Sequence, residues 1–452
     1  MFSRILFIFI CALPLLSANA SGDFSDVDNE NDVHPELHAK KMSAQECAAL
    51  SDTQQTKLNE ADRLYEQGLM YLHGICLKQD QSSAFDRFSK AATLGHPGAM
   101  SQLGAMILQG KNVKRDPAIA RQWFEKAAAQ NDAKAMFHLG IMAKNGFGMP
   151  IDIDQGRQWF EKAARLNDKG ARYQLALMHF SGSGEKENNS AAIKQIEKLA
   201  SEGYPPAQYT LGYLNLKGDG IPQNPGEARF WFEKAAAKND VRATAALAFL
   251  YLKGIGAPID EKKAAVLFEK AANMGDAYSQ DQFGMMLGQG TGMKAEPEKA
   301  FLWIEKAAQQ QYSTAEYHMA MMYLTGSGTE KNPEKAVKWL EKAASHGNVD
   351  AQNFYASLLY LGYGIKQDIP RAIGYFTEAA EGGHAESQFL LGTIYVKGNG
   401  VLTNLKTARS WFEKAEKNGH PDAKAALEKL DEMEGKGRAT PEKTDTGNHY
   451  PS

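Results

Sequence analysis

Residues 207–236 read AQYTLGYLNLKGDGIPQNPGEARFWFEKAA, and this pattern recurs every 36 residues along most of the chain. Ten copies follow one another from about Ala61 to His420 without an insertion or a deletion. All six tryptophans fall in one column of the repeat: Trp123, Trp159, Trp231, Trp303, Trp339 and Trp411. A short repeat that cannot bury its own apolar face must stack on its neighbours, so the period predicts a repeat architecture.

Each copy carries the signals of two helices. In the first helix, Ala99, Leu103, Met106 and Ile107 have the three-and-four spacing of one buried face. Gly110 follows, and glycine suits the left-handed residue that ends a helix. The second helix starts at a column of residues that cap helices: Asp80, Asp116, Asp152, Asn188, Asn224, Asp260, Glu296, Asn332, Asp368 and Asn404. The sequence therefore predicts an all-α solenoid of about ten helix-turn-helix repeats.

A small residue recurs in the first helix of nearly every copy, where we expect another helix to pass close by. The column consists of Gly104, Gly140, Ala176, Gly212, Ala248, Gly284, Ala320, Ala356 and Gly392. The second helix ends at glycine or asparagine in most copies, as at Gly95 and Asn131, and both residues tolerate a left-handed turn. These columns agree with the helix-turn-helix interpretation.

The first 20 residues predict a secretory signal peptide. Arg4 precedes an apolar run of 12 residues from Ile5 to Leu16, and small residues end the segment at Ala18 and Ala20. The run is shorter than the roughly 20 apolar residues that a membrane helix needs. We therefore expect export to the periplasm or beyond the cell, with no membrane span once the signal is cleaved.

Four further segments follow. Residues 21–42 are acidic and contain little that could pack, which predicts a disordered linker. Residues 43–60 open with a capping box, Ser43-Ala44-Gln45-Glu46, and predict a capping helix region. The repeat array with a terminal cap is predicted over 61–430, and a disordered polar tail over 431–452.

Charge is nearly balanced, with 51 Lys and Arg against 54 Asp and Glu, so no nucleic-acid partner is expected. A lysine column in the second helix looks like a basic ladder: Lys90, Lys126, Lys162, Lys198, Lys234, Lys270, Lys306, Lys342 and Lys414. Glutamate precedes the lysine in most copies, as in Glu125-Lys126. This pairing favours a solvated face over an anion-binding ridge.

The repeat resembles the Sel-1-like repeat, a relative of the tetratricopeptide repeat. The resemblance lies in Ala207, Leu211 and Gly212, in Gly218-Asp219-Gly220, and in the run from Trp231 to Ala236. It implies a right-handed αα superhelix that works as a protein-interaction scaffold of the exported bacterial type. Members of this type are implicated in host-cell contact, in envelope assembly and in the antagonism of secreted effectors. The residues leave open which of these roles applies, which partner is bound, and the oligomeric state.

An enzymatic role is the alternative, because cysteine-rich relatives have been described as penicillin-binding proteins or weak β-lactamases. The sequence has one Ser-x-x-Lys, Ser183-Gly184-Glu185-Lys186, in a predicted loop and without a Ser-Asp-Asn or Lys-Thr-Gly partner motif. His34 and His38 have a metal-like spacing, but zinc needs three or four well-oriented ligands. We expect no catalysis, no metal and no cofactor, with a cell-wall or β-lactam-directed hydrolase kept as the alternative.

In the superhelix that the resemblance implies, the face of the first helix opposite its buried face should line the concave side. One column there reads Ala105, Ile141, Leu177, Tyr213, Phe249, Met285, Met321, Ser357 and Thr393, with His138, Gln174, Gln282, His318 and Phe354 beside it. An apolar strip with a polar margin is typical of a protein-binding surface. The predicted partner-binding residues are Ile141, Leu177, Tyr213, Phe249, Met285, Met321, His138, His318 and Phe354. The alternative is that the column packs against the next helix and belongs to the core.

Cys47 and Cys76 are the two cysteines that remain after signal cleavage, since Cys11 lies inside the apolar run. Export to an oxidising compartment favours their pairing. We expect a Cys47–Cys76 disulfide that joins the capping region to the first repeat and closes a loop worth roughly 3–4 kcal/mol in the chain-entropy account. Two buried free thiols are the alternative.

Overall fold

The computed structural model describes residues 58–110, 112–180 and 189–434. Over these residues it consists of twenty-one α-helices and contains no strand, as the sequence predicts. The predicted signal peptide, acidic linker and most of the capping region and polar tail lie outside the described residues. Cys47, the His34–His38 pair and the motif at Ser183 lie outside them too. The structure therefore does not test what the sequence predicts for these residues.

The described residues form two compact units that divide between Ala246 and Leu247. The helices up to the division are α1 Glu60–His73, α2 Gln81–Thr93, α3 Pro97–Gln109, α4 Pro117–Ala128, α5 Ala133–Asn145, α6 Ile153–Arg165, α7 Lys169–Phe180, α8 Asn189–Ser201, α9 Pro205–Lys217, α10 Pro225–Ala236 and α11 Val241–Lys253, within which the division falls. Those after it are α12 Glu261–Asn273, α13 Ala277–Gln289, α14 Pro297–Gln309, α15 Ser313–Thr325, α16 Pro333–Ser345, α17 Val349–Leu361, α18 Ile369–Glu381, α19 Ala385–Lys397, α20 Leu405–Lys417 and α21 Ala423–Met433. Within each unit, odd-numbered first helices alternate with even-numbered second helices. The terminal helix α21 runs three residues into the predicted tail.

Side-chain caps start the second helices where the sequence places them. The Oδ1 atom of Asp116 accepts hydrogen bonds from the backbone N–H groups of Ala118 and Ile119, each at 3.0 Å. Among the described residues of the predicted column, Glu296 is the exception, because its side chain makes no capping hydrogen bond. Its longer side chain carries the carboxylate to Lys299 instead, with Oε2 and Nζ 2.6 Å apart.

Left-handed residues close the turns as predicted. Gly110 has φ +74° after a first helix, and Asn131 has φ +62° after a second helix. Cys76 and Asn112 occupy the turn column that is glycine in most later copies, and both adopt positive φ, at +60° and +57°. The half-buried side chain of Cys76 therefore lies in a tight turn next to α1. Its predicted bond to Cys47 remains a prediction.

The core of each repeat is an aromatic or aliphatic side chain of the second helix pressed onto the small residue of the first. Phe124 and Phe160 are fully buried. A Cβ atom added at Gly140 would lie 2.5 Å from Cε1 of Phe160, which confirms that the small column marks a close helix approach. The alanine pair, as at Ala127 and Ala128, is buried in the same layer.

Residues of two further columns make the same contact in several repeats. Lys126 Nζ lies 4.4 Å from the centre of the Trp123 ring, and the Trp–Lys pair recurs at Trp159–Lys162, Trp303–Lys306, Trp339–Lys342 and Trp411–Lys414. Each of these lysines thus lies over the tryptophan three residues before it, in a cation–π contact.

A column of buried glutamines donates to the last-turn carbonyl of the preceding second helix, from Gln208 to Ala200, Gln280 to Ala272, Gln352 to Ala344 and Gln388 to Ala380.

The close approach at Gly140 gives a stability prediction. Gly140→Ala should lower the free energy of unfolding by about 2 kcal/mol, because the new methyl group overlaps the buried Phe160 ring. Gly374→Ala is the matched control, since Gly374 is exposed on α18 and an added Cβ meets nothing within 4 Å. The control should be neutral or stabilising by up to about 1 kcal/mol. Urea unfolding of both variants checks this, and equal stability of the two would contradict it.

Candidate functional site

Before the unit boundary, most of the predicted binding strip is buried. Ile141, Tyr213 and His138 are 9%, 7% and 5% exposed, and Leu177 is half-buried. The ring of His138 stacks on Phe124 with centroids 4.6 Å apart. These residues lie where the core alternative places them. A role in binding would require them to become accessible, and it stays a prediction.

After the boundary, the strip becomes accessible. Phe249 on α11 is buried, but Met285, Met321, His318 and Phe354 are all half-buried. Three of the four, Met285, His318 and Met321, line a single cavity of about 200 Å³. The strip is thus accessible around α13, α15 and α17.

This cavity, called here the α13–α15 cavity, lies between two first helices and has a second helix as its floor. Its lining consists of Gly284, Met285, Gly288 and Gln289 from α13, Ala300 and Ile304 from α14, His318, Met321, Met322 and Thr325 from α15, and Ser327 in the turn that follows. The inner lining is apolar and rich in methionine. Gln289, Thr325 and Ser327 are exposed and form a polar mouth.

A buried acid holds the histidine of the cavity wall. Asp281 on α13 is fully buried, and its Oδ1 lies 2.6 Å from Nδ1 of His318 on α15. The Oδ2 atom accepts a hydrogen bond from Nε2 of Gln282 at 3.3 Å. A carboxylate oxygen accepts hydrogen bonds, so an imidazole N–H is the donor that suits this contact. The pair therefore ties two first helices together beside the cavity.

The ten repeats of this geometry match a family model described as Sel1 repeat. The matched residues are 64–96, 97–132, 133–168, 170–204, 205–240, 241–276, 277–312, 313–348, 349–384 and 385–420. The chain belongs to the Sel1 repeat family. Sel1 repeats form scaffolds of the kind that mediate protein–protein interaction, and the cavity lies between the seventh and eighth of them.

The chain is also similar to several solved structures. The chain is 29% identical to c5321, a protective antigen of uropathogenic Escherichia coli strains with an SLR fold; the match covers 88% of this chain and 84% of that one, with a TM-score of 0.53. A Sel1 repeat protein from Oxalobacter formigenes is 26% identical over 76% of this chain and 90% of that one, with a TM-score of 0.48. An immunity protein from Pseudomonas aeruginosa, Pa5087, is 21% identical over 50% of this chain and 82% of that one, with a TM-score of 0.33. A comparison with curated protein sequences found no match.

A second buried acid follows in the next Sel1 repeat. Glu316 on α15 occupies the glutamine column and is buried, and its Oε2 lies 2.7 Å from Nδ1 of His346 at the end of α16. Asp281 likewise interrupts a column that holds Phe137, Tyr173 and Tyr317 in other copies. Neither acid is among the site residues that the sequence predicts. Each is the only acid in its column of the repeat, and this is the signal in the sequence that marks both.

A larger groove lies among α16, α17 and α18, with a volume of about 780 Å³. At its edge, Arg371 approaches Glu341 to 2.6 Å and lies over the ring of Tyr355. Burial, together with the Glu341 carboxylate, raises the pKa of Tyr355 to about 12, so its hydroxyl stays protonated at neutral pH. An equivalent groove of about 590 Å³ recurs four repeats earlier at Leu211, where it is lined by Trp231 among others. The same groove thus occurs in at least two repeats.

Two other features are absent from the described residues, a metal centre and a membrane-spanning helix. No group of three or more His, Cys, Asp and Glu side chains in this part of the chain could hold a metal ion. Likewise, none of the helices described above is long and apolar enough to cross a bilayer.

The contact between the buried Asp281 and His318 gives a prediction about what holds the cavity wall. His318→Leu should lower the free energy of unfolding by about 3 kcal/mol, because it leaves the Asp281 carboxylate buried without its partner. Adding Asp281→Asn to that variant should restore part of the loss, since a neutral amide needs no counter-charge. Urea unfolding of the single and double variants measures both effects. A double variant less stable than His318→Leu would show that the pair is not what stabilises this wall.

Proposed function

We propose that this Sel1 repeat protein is an exported, non-catalytic scaffold that binds a protein or peptide partner. The binding surface that we propose is the accessible part of the strip, around Met285, His318, Met321 and Phe354. The observation that carries the proposal is the α13–α15 cavity, which is apolar inside and polar at its mouth. Concave apolar sites with a few polar groups at the edge are where proteins bind their ligands.

Export is supported by the apolar run from Ile5 to Leu16 and the small residues that follow it. The similar protein c5321 is described as a protective antigen, which suits a location that antibodies can reach. We therefore place contact with a host ahead of envelope assembly and effector antagonism. A non-catalytic role is supported by the repeat itself, because its recurring side chains serve helix packing and capping.

The binding surface is tested with a charge placed at the cavity. Met321→Glu should weaken binding of a partner captured from the exported fraction at least 30-fold, about 2 kcal/mol, because a carboxylate replaces an apolar anchor contact. The partner is identified by mass spectrometry, produced separately and titrated calorimetrically against the purified mature protein.

Leu302→Glu is the matched control, because Leu302 is an exposed apolar residue of α14 that does not line the cavity. It introduces the same charge away from the cavity and should leave binding within twofold. If both variants bind the partner equally well, the proposed binding surface is wrong. Turnover of nitrocefin or muropeptides by the wild-type protein would instead favour the hydrolase alternative.

A further inference from the structure

The α13–α15 cavity exists because one repeat omits a side chain that the other copies supply. The first-helix column that contains Gly288 otherwise reads Leu72, Leu108, Lys144, Phe180, Leu216, Leu252, Leu324, Tyr360 and Val396. The same repeat has Ile304 where most copies have phenylalanine in the second helix, so its floor is also lower. Two reductions in size thus coincide at one place.

Neither the backbone nor the packing requires glycine at position 288. Gly288 lies inside α13 and is not among the residues with positive φ. A Cβ atom added there would meet one neighbour, the Cβ of Ala300, at an ordinary contact distance of 3.5 Å. By contrast, a Cβ at Gly284 would lie 2.6 Å from Cγ1 of Ile304. Because glycine inside a helix costs about 1 kcal/mol relative to alanine, Gly288 weakens its helix with no structural return.

The lining determines what kind of group fits the space. Met285, Met321, Met322 and Ile304 present apolar surface, and the Nδ1 atom of His318 already faces Asp281. A charged group would lose its hydration inside, where the lining other than His318 and the residues of the mouth is apolar. An apolar cavity of about 150 Å³ accommodates benzene, so about 200 Å³ accommodates the side chain of leucine, methionine or phenylalanine. Methionine side chains adapt readily to such occupants.

The mouth suits a peptide chain on either side of that group. Gln289 and Ser327 are exposed there and can both donate and accept hydrogen bonds. The hydroxyl of Thr325 donates to the carbonyl of Met321 at 2.9 Å, which leaves its lone pairs to accept. Backbone groups that flank a buried side chain need such partners.

We propose that the α13–α15 cavity is an anchor pocket for one leucine, methionine or phenylalanine side chain of the protein partner. The partner's side chain takes the place that Leu252 and Leu324 fill in the neighbouring repeats. This inference rests on the proposed binding function and adds the chemistry of the group that is recognised.

The test fills the pocket with the residue that the repeat normally carries. Gly288→Leu should keep or raise the melting temperature, because it restores a helix-favouring side chain to an open space. Gly374→Leu is the matched control, since it makes the same substitution in a helix at an exposed glycine. The probes are peptides selected from a random 12-residue display library on the purified mature wild-type protein.

The expected result is that the selected peptides share a leucine, methionine or phenylalanine whose replacement by alanine weakens binding at least 30-fold. Gly288→Leu should weaken the same peptides at least 30-fold, and Gly374→Leu less than twofold. In the wild-type protein labelled with ¹³C at its methionine methyl groups, the peptide should shift the signals of Met285, Met321 and Met322.

If the peptides bind Gly288→Leu as tightly as wild type but fail to bind Met321→Glu, the proposed anchor pocket is wrong. The proposed binding surface is then still supported. Failure to select any peptide, or peptides insensitive to both substitutions, would count against both proposals. If Gly288→Leu does not fold, the labelled wild-type protein decides: unchanged signals of Met285, Met321 and Met322 at saturating peptide overturn the pocket.

Discussion

The contact between a ring of the second helix and a glycine or alanine of the first helix is the constraint on which each repeat depends. At Gly140 and Phe160 there is no room for even one more carbon atom. This contact brings the two helices of a repeat together, and the buried alanine pair lies in the same layer. Because each repeat packs on its neighbours in the same way, small changes of side-chain volume in one copy create local features without disturbing the others.

The α13–α15 cavity is such a feature. It arises where Gly288 and Ile304 replace larger residues, while the small-residue contact at Gly284 is retained. The Asp281–His318 pair then holds the two first helices that form its walls. The same principle that makes the array regular therefore leaves one accessible apolar space along the strip, beside methionines that suit a variable occupant.

The sequence was sufficient to predict the fold because local signals repeat ten times and agree. The sequence predicted the caps at Asp116 and its equivalents, the left-handed turns and the small column. The prediction was wrong for Glu296, whose longer side chain makes no capping hydrogen bond. The site was less predictable. Whether a column faces solvent depends on the packing of neighbouring first helices, so Tyr213 and Met285 share a column but differ in exposure. The buried acids Asp281 and Glu316 were visible in the sequence only as departures from their columns.

Hydrogen exchange on the purified mature protein, with and without its captured partner, tests the central claim most directly. The account predicts that partner binding slows exchange in residues 277–289 and 313–325, which form α13 and α15, and leaves α16, which does not line the cavity, unchanged. Protection confined to α16, or absent from both α13 and α15, would contradict it.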